Sequence, residues 1–445
     1  MAGSAVATSV EKGPWYQGLT PKHWRVLWAS FLGWIFDGYE TFALIVAIGP
    51  ILTTLLPPEA RSQLGAYAGL TIGVTLLGWG VGGVIGGTIT DYIGRKRMMI
   101  YSILGYAFFT GLTALSWSVE SLIALRFLTG IAMGSEWSTG ATLIAETWPD
   151  RARPKGAGFM QSGFGFGTFL ASLVWYLVHP LGAQAWRWLF VVGVMPAFFV
   201  FYIRRKIDES QRWIDTVREK RWAATEVDLE ISGPQGKRPF TLTEIFQAPE
   251  SRRRVLLTFA MSLTTMVGWY AVSSLLPGYV ASIAKGEGYQ NLAFWGSTAG
   301  MIYNAGAIAG YLSSGFLADW MGRRKYLAFL FIGSLILTPI TYVWTHDLQA
   351  VLIAAAINGF FTLGQYSWFA IYLPELFSTA VRSTAASFIF NATRLIAFMG
   401  PIVAASIVKS FGGISTAAMS LGMIYFLGLA VCFFLPETKG KPLPG

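Results

Sequence analysis

The chain has 445 residues, 54% of them hydrophobic and only 13% charged, with a mean hydropathy of +0.51. Few soluble domains have this composition, whereas a helical protein that crosses a membrane many times does. The formal net charge of +10 suggests a nucleic-acid partner only until its distribution along the chain is read.

The lead segment holds Lys12, Lys22, His23 and Arg25 and no small-residue cleavage site ahead of an apolar core, so it is expected to be a retained tail. The first apolar run, 26–49, carries Asp37 and Glu40 near its middle. An acid in hydrocarbon costs about 3 kcal/mol or more unless it faces a cavity, a partner or a proton, so it marks a functional site by default. Residues three apart share a helix face, so Asp37 and Glu40, with Gly38 and Tyr39 between them, can line one wall. The plain alternative is a neutral acid bonded to a neighbouring helix.

Hydropathy predicts eleven further spans, at 66–90, 98–116, 121–145, 155–178, 187–203, 255–281, 292–318, 326–345, 349–372, 384–408 and 416–435. With the N-terminus inside, 27 Lys and Arg fall on the inner side. Four fall outside: Arg61, Arg187, Lys285 and Lys409. The positive-inside rule then puts both termini in the cytoplasm, as in a multi-pass protein of the cell membrane. The basic excess is thus a topology signal, and no nucleic-acid partner is expected. Residues 204–254 are the one long polar stretch. They divide the chain into a six-helix bundle with its tail (1–205), a cytoplasmic linker (206–254) and a second six-helix bundle with its tail (255–445). Part of the linker is expected to form amphipathic helices on the membrane surface; its centre, around Gly233, Pro234 and Gly236, reads equally well as flexible chain.

The two bundles repeat one another. Gly87-TIT-Asp91-YI-Gly94-Arg95-Lys96 follows the second span, and Gly315-FLA-Asp319-WM-Gly322-Arg323-Arg324 follows the eighth, 228 positions later. Glu146 and Arg153 follow the fourth span, and Glu375 and Arg382 follow the tenth at an offset of 229. Two independent motifs repeating at nearly one offset indicate homologous halves.

The G-x-x-x-D-x-x-G-R-[KR] loop in both halves resembles the signature of the major facilitator superfamily. Arg126-FLT-Gly130-IAM-Gly134 is similar to that family's fourth-span motif. Asp208-Glu209-Ser210-Gln211-Arg212-Trp213 and Pro436-Glu437-Thr438-Lys439-Gly440 look like the endings of the two halves in sugar and organic-ion porters. Asp37-Gly38-Tyr39-Glu40 is similar to the D-G-x-D of proton symporters for aromatic acids, with Glu40 replacing the second Asp. The run around the fifth span, which contains Gln161, looks like the sialate and monocarboxylate symporters. The resemblance implies an all-α membrane fold of twelve transmembrane helices, working by alternating access. It also implies that Asp91, Arg95, Glu146, Arg153, Asp319, Arg323, Glu375 and Arg382 form a cytoplasmic gate.

Five charged groups sit where hydrocarbon is expected: Asp37, Glu40, Arg126, Glu136 and Arg394. Burial favours a neutral acid and a nearby arginine a charged one, so the Asp37–Arg126 distance can set whether a proton is held. Asp37, Glu40, Arg126 and Glu136 are the proton-coupling candidates, although Glu136 can instead pair with Lys155 or Arg153. A static Asp37–Arg126 pair is the structural alternative. Arg394 lies near the midplane with no acid in the spans of its own half, so it is expected to hold the carboxylate of a substrate. Asn391, Tyr39, Gln161, Trp269, Tyr270, Asn304, Gln365 and Trp368 are the other candidate cavity groups, with Tyr366 beside them. Paired glutamines of the kind that sugar porters carry in the seventh span are missing, which disfavours a hexose.

The expected activity is proton-coupled uptake of a small organic anion, a monocarboxylate or aromatic acid. A sugar or polyol symporter comes second, then a cation or drug exporter, and a non-transporting sensor is the reading from another class. Protons are the coupling ion; no other cofactor and no metal is expected, and the protein should act as a monomer in the lipid bilayer. An enzyme is disfavoured, because His23, His179 and His346 lie in tails or at span ends with no nucleophile or ligand cluster near them.

Overall fold

The computed structural model describes residues 13–222 and 238–445, so Lys12 and the Gly233–Gly236 centre of the linker lie outside the described residues. Among these the regular structure is entirely helical, and every predicted span is recovered. The first half comprises α1 (Pro21–Leu55), α2 (Leu64–Ile93), α3 (Arg95–Thr113), α4 (Val119–Met133 with Glu136–Thr147), α5 (Arg153–Val178) and α6 (Ala185–Val192 with Pro196–Lys206). The second comprises α7 (Pro249–Gly286), α8 (Leu292–Met321), α9 (Arg323–Pro339), α10 (Leu348–Thr362, continuing through Ser367–Ile371), α11 (Arg382–Asn391, Arg394–Ala397 and Met399–Ser410) and α12 (Ile414–Gly422 with Tyr425–Cys432). Nine helical runs among the described residues are long and apolar enough to cross a membrane.

The interruptions have local causes. In α6 the ladder breaks before Pro196, which has no N–H to donate. In α4 it breaks at Gly134 and Ser135, where α2 presses close enough that a Cβ on Gly134 would stand 2.1 Å from the Gly83 nitrogen. This break re-aims Glu136 relative to Arg126, ten residues before it.

The two halves meet along α2 against α11 and α5 against α8. Ser387 Oγ donates to the Gly83 carbonyl at 2.7 Å, and Asn391 Nδ2 to the Gly134 carbonyl at 3.2 Å. A Cβ on Gly315 of α8 would stand 2.4 Å from the Pro154 carbonyl of α5.

The repeated motifs turn on glycines with positive φ, Gly94 at 98° and Gly322 at 89°, a conformation side chains resist. Each is followed by a helix whose first N–H groups need acceptors. Glu209 accepts from Arg95 N (3.0 Å) and Lys96 N (3.1 Å), and Glu437 accepts from Arg323 N (2.9 Å) and Arg324 N (3.1 Å). These two acids are themselves 228 positions apart. Partial burial pushes the Glu437 carboxyl up, but the backbone N–H groups of Arg323, Lys439, Arg324 and Thr438 outweigh it and hold the group below the ordinary glutamate range. A depressed carboxyl stabilises the fold above its unfolded value of about 4.3 and loses that contribution as the pH falls through its folded value. Glu437→Gln should therefore lower the melting temperature at pH 7, and the gap to wild type should close below about pH 4. Melting curves in detergent across pH check this; an equal gap at pH 7 and pH 3.5 would contradict it.

The linker does not lie free on the membrane surface where it is described. The short helix Gln211–Glu219 docks through Trp213 Nε1 onto the Asp91 carbonyl at 2.7 Å, and the hydroxyl of Thr241, opening the helix Thr241–Gln247, lies at 2.8 Å from that of Thr384. The linker thus packs over the seam between the halves.

Candidate functional site

At the end of the bundle that carries the repeated loops, two glutamates each bind one arginine from their own half and one from the other. Glu146 takes Arg95 (2.8 Å) and Arg382 (2.9 Å); Glu375 takes Arg323 (2.8 Å) and Arg153 (3.1 Å). Asp91 braces Arg95 at 3.0 Å and accepts from the Thr384 N–H and hydroxyl across the seam, while Asp319 braces Arg323 and pairs with Lys155. All eight predicted gate residues meet here. These contacts between the halves form a latch of buried ion pairs at that end.

Nearer the midplane, α1 and α4 present their charges in two layers. Glu40 forms an ion pair with Arg126, whose guanidinium lies 5.4 Å from the Phe190 ring centre. One turn nearer the latch, Asp37 faces Glu136 within hydrogen-bonding range, and neither carboxyl has another hydrogen-bond partner among the described residues. Room for Glu136 comes from Gly33, where a Cβ would stand 1.9 Å from Oε1. Two expected pairings are thereby corrected. Arg126 holds Glu40 and not Asp37, because α1 turns the two acids toward different points on α4. Glu136 meets neither Lys155 nor Arg153, which pair with Asp319 and with Asp150 and Glu375.

Arg394 is buried, and no carboxylate lies within ion-pair distance of it among the described residues. Its guanidinium lies over Trp79 of the first half (4.3 Å) and Phe390 of the second (4.2 Å). Nη1 donates to the Phe390 carbonyl (2.7 Å) and to Asn391 Oδ1 (3.2 Å), which leaves Nε without a partner. Further rings pack against Trp79 and Phe390 and complete an aromatic box. Trp137 stacks on Phe390 at 3.9 Å, and Trp34 packs near Trp79, Phe164 and Phe390. Tyr366 lies beside Phe390 and Trp269. The Trp34 and Trp79 indole N–H groups and the Tyr366 hydroxyl are buried without hydrogen-bond partners among the described residues.

Of the other expected cavity groups, Gln161 accepts from Trp137 Nε1 (2.9 Å), and Trp269 and Tyr270 are half-buried neighbours with ring centres 4.5 Å apart. Asn304 bonds its own helix at the Gly300 carbonyl. Three are corrected, each spent on packing inside one half. The Tyr39 hydroxyl donates to the Leu189 carbonyl (2.7 Å), Gln365 donates to Ser334 of α9 (2.5 Å), and the Trp368 indole donates to Thr265 of α7 (3.2 Å). Sequence reasoning passed over Trp34, Trp79, Trp137 and Phe390. A signal existed for Trp34, which lies three residues before Asp37 and shares its face.

The family model of the sugar (and other) transporters matches residues 26–445. The chain belongs to that family. This transporter is 26% identical to a niacin transporter of Acinetobacter baylyi, over 95% of each chain. It is 25% identical to a sialic acid transporter of Escherichia coli (95% of this chain, 96% of that one) and 28% identical to a cis,cis-muconate transport protein of A. baylyi (94% and 96%). Its fold matches that of the proton:xylose symporter bound to 6-bromo-6-deoxy-D-glucose, with a TM-score of 0.74 at 19% identity over 95% and 98% of the chains. The architecture is therefore the twelve-helix fold of the major facilitator superfamily, and the protein is a multi-pass membrane transporter and not an enzyme.

Proposed function

We propose that this transporter couples proton entry to the uptake of a small planar organic anion, with its latched end and both termini in the cytoplasm. The observation that carries this reading is Arg394, a buried cation with no carboxylate within ion-pair distance among the described residues, set between aromatic rings contributed by both halves. An unpaired buried charge is costly, and an anionic ligand offsets it most directly. The free groups around it, two indole N–H groups and a hydroxyl, suit a ligand rich in acceptors, and the ring walls favour a flat one. Niacin, muconate and sialic acid, for which the relatives are named, share a carboxylate. A sugar fits less well, because the amide nitrogens of Gln365 and Asn358 already donate to Ser334 and Thr341.

The Asp37–Glu136 pair supports proton coupling. Two carboxylates cannot hydrogen-bond to each other, whereas one proton between them makes the contact favourable. The field of Arg394 reaches Asp37, so a bound anion, by cancelling that field, makes it easier for the pair to keep its proton. Substrate and proton thereby favour each other's binding, as symport requires. The test is uptake into proteoliposomes of labelled nicotinate, cis,cis-muconate and xylose. Accumulation of an acid under an acid-outside gradient, abolished by a protonophore, is expected. Gradient-driven accumulation of xylose with no acid transported would overturn the reading.

A further inference from the structure

Around the carboxyl pair the first half holds further buried polar atoms. Glu40 Oε2, Arg126 Nε and Nη2, the Tyr106 hydroxyl and Thr110 Oγ1 are all buried without hydrogen-bond partners among the described residues. Tyr106 and Thr110 are one turn apart on α3. Tyr106 lies within electrostatic reach of Asp37, Glu136 and Glu40, the acids of both layers. Thr110 meets Glu40 over the break in α6: a Cβ on Gly193 would stand 2.7 Å from Thr110 Cγ2 and 3.2 Å from Glu40 Oε2.

Leaving so many polar groups dry would cost about 1–3 kcal/mol each, far more than a fold can sustain. Thr110 and Glu40 converge on Gly193, so these groups share one region of the first half. Such a region suits ordered water, which needs two to four polar partners. We infer that Tyr106 and Thr110 hold a short water chain linking the Glu40–Arg126 layer to the Asp37–Glu136 pair, so that the coupled proton reaches its site between α1, α3, α4 and α6 instead of through the substrate cavity. Along this chain each hop breaks one O–H bond as the next forms, the proton passing from water to water while the Tyr106 and Thr110 hydroxyls hold those waters in line. The charged groups facing the chain are Asp37 and Glu40 from α1 and Arg126 and Glu136 from α4; α6 contributes Phe190 and Gly193. Tyr106 and Thr110 are positioning residues, neither of them touching substrate.

The inference rests on the proton-coupled reading above, and the experiment keeps the two apart. Tyr106→Phe and Thr110→Val each remove a hydroxyl and keep the side chain's bulk. In proteoliposomes the double variant should lose about tenfold or more in proton-driven initial uptake of the acid that the wild type accumulates. Counterflow of that acid between compartments of equal pH should stay at the wild-type rate, and the solvent deuterium effect on uptake should rise. Thr110→Ser, which keeps the hydroxyl, should behave as wild type. Unchanged proton-driven uptake in the double variant would overturn the water chain and leave coupling at Asp37 intact. An equal loss of counterflow would also overturn it, because a structural role would then suffice. A wild type that accumulates no acid under the gradient would sink the proton-coupled reading itself.

Discussion

Asp37→Asn is expected to abolish uphill uptake while substrate exchange continues. The physical reason lies in the pairing of Asp37 with Glu136 and with no arginine. If Asp37 neutralised Arg126, an amide there would leave a buried cation unpaired at a cost of about 3–5 kcal/mol, and expression and binding would both suffer. Arg126 already has Glu40, so the asparagine has only to replace a carboxyl facing another carboxyl. Its amide donates to Glu136 as a protonated aspartate would, and the carrier is fixed in its loaded state. A loaded carrier still shuttles, so counterflow persists. It cannot release a proton inside, so the gradient does no work. One pH unit across the membrane is worth about 1.4 kcal/mol per proton, or about tenfold in accumulation. That tenfold should fall to simple equilibration in the variant. Wild-type accumulation by Asp37→Asn, measured in the same vesicles, would remove Asp37 from the coupling. Glu40→Gln should behave differently, losing expression or thermal stability first, because it strips Arg126 of its partner.

How far the sequence could carry this can be argued from individual residues. The spans and the latch were legible because their signals are one-dimensional. Apolar length marks a crossing, and the equal spacing of Glu146 to Arg153 and Glu375 to Arg382 marks a pair of matched contacts, which the structure brings together across the seam. The partners within the first half were not legible. Asp37 and Glu40 share a face by spacing, but one side chain meets Glu136 and the other Arg126, and the break at Gly134 decides which. Gln365 shows the same limit. A polar residue in a span reads as facing a cavity, but it lies in the tight turn Gly364–Tyr366, which swings it toward Ser334. The aromatic box was the larger omission. Single tryptophans in a membrane protein usually mark packing or the interface, and only the meeting of α1, α2, α4 and α11 sets Trp79 and Phe390 on one arginine with Trp34 and Trp137 packed against them.

Arg394→Ala should nearly eliminate substrate binding, and Arg394→Lys should weaken it without eliminating it. Among the described residues the guanidinium is held by two acceptors on its own helix, the Phe390 carbonyl and Asn391 Oδ1, and by two ring faces. None of these cancels its charge. The ring contacts stabilise a cation by about 0.5–2 kcal/mol, enough to fix the plane of the guanidinium but not to offset desolvation. A carboxylate bound across Nε and a terminal nitrogen would supply the missing charge and an acceptor for Nε at once. Removing one member of such a buried pair costs about 2–5 kcal/mol, so the dissociation constant should rise roughly 30- to 5,000-fold in Arg394→Ala. Lysine restores the charge but has no planar fork to lie between Trp79 and Phe390, so about tenfold weaker binding is expected. Trp79→Leu supplies the complementary measurement. It removes one ring wall and leaves the charge, so it should weaken flat acids more than flexible aliphatic ones of the same charge. Isothermal titration of the detergent-solubilised protein with nicotinate and muconate reads all three variants. If Arg394→Ala binds the acid that the wild type binds with unchanged affinity, the carboxylate lies elsewhere, and a neutral substrate becomes the better reading of the box.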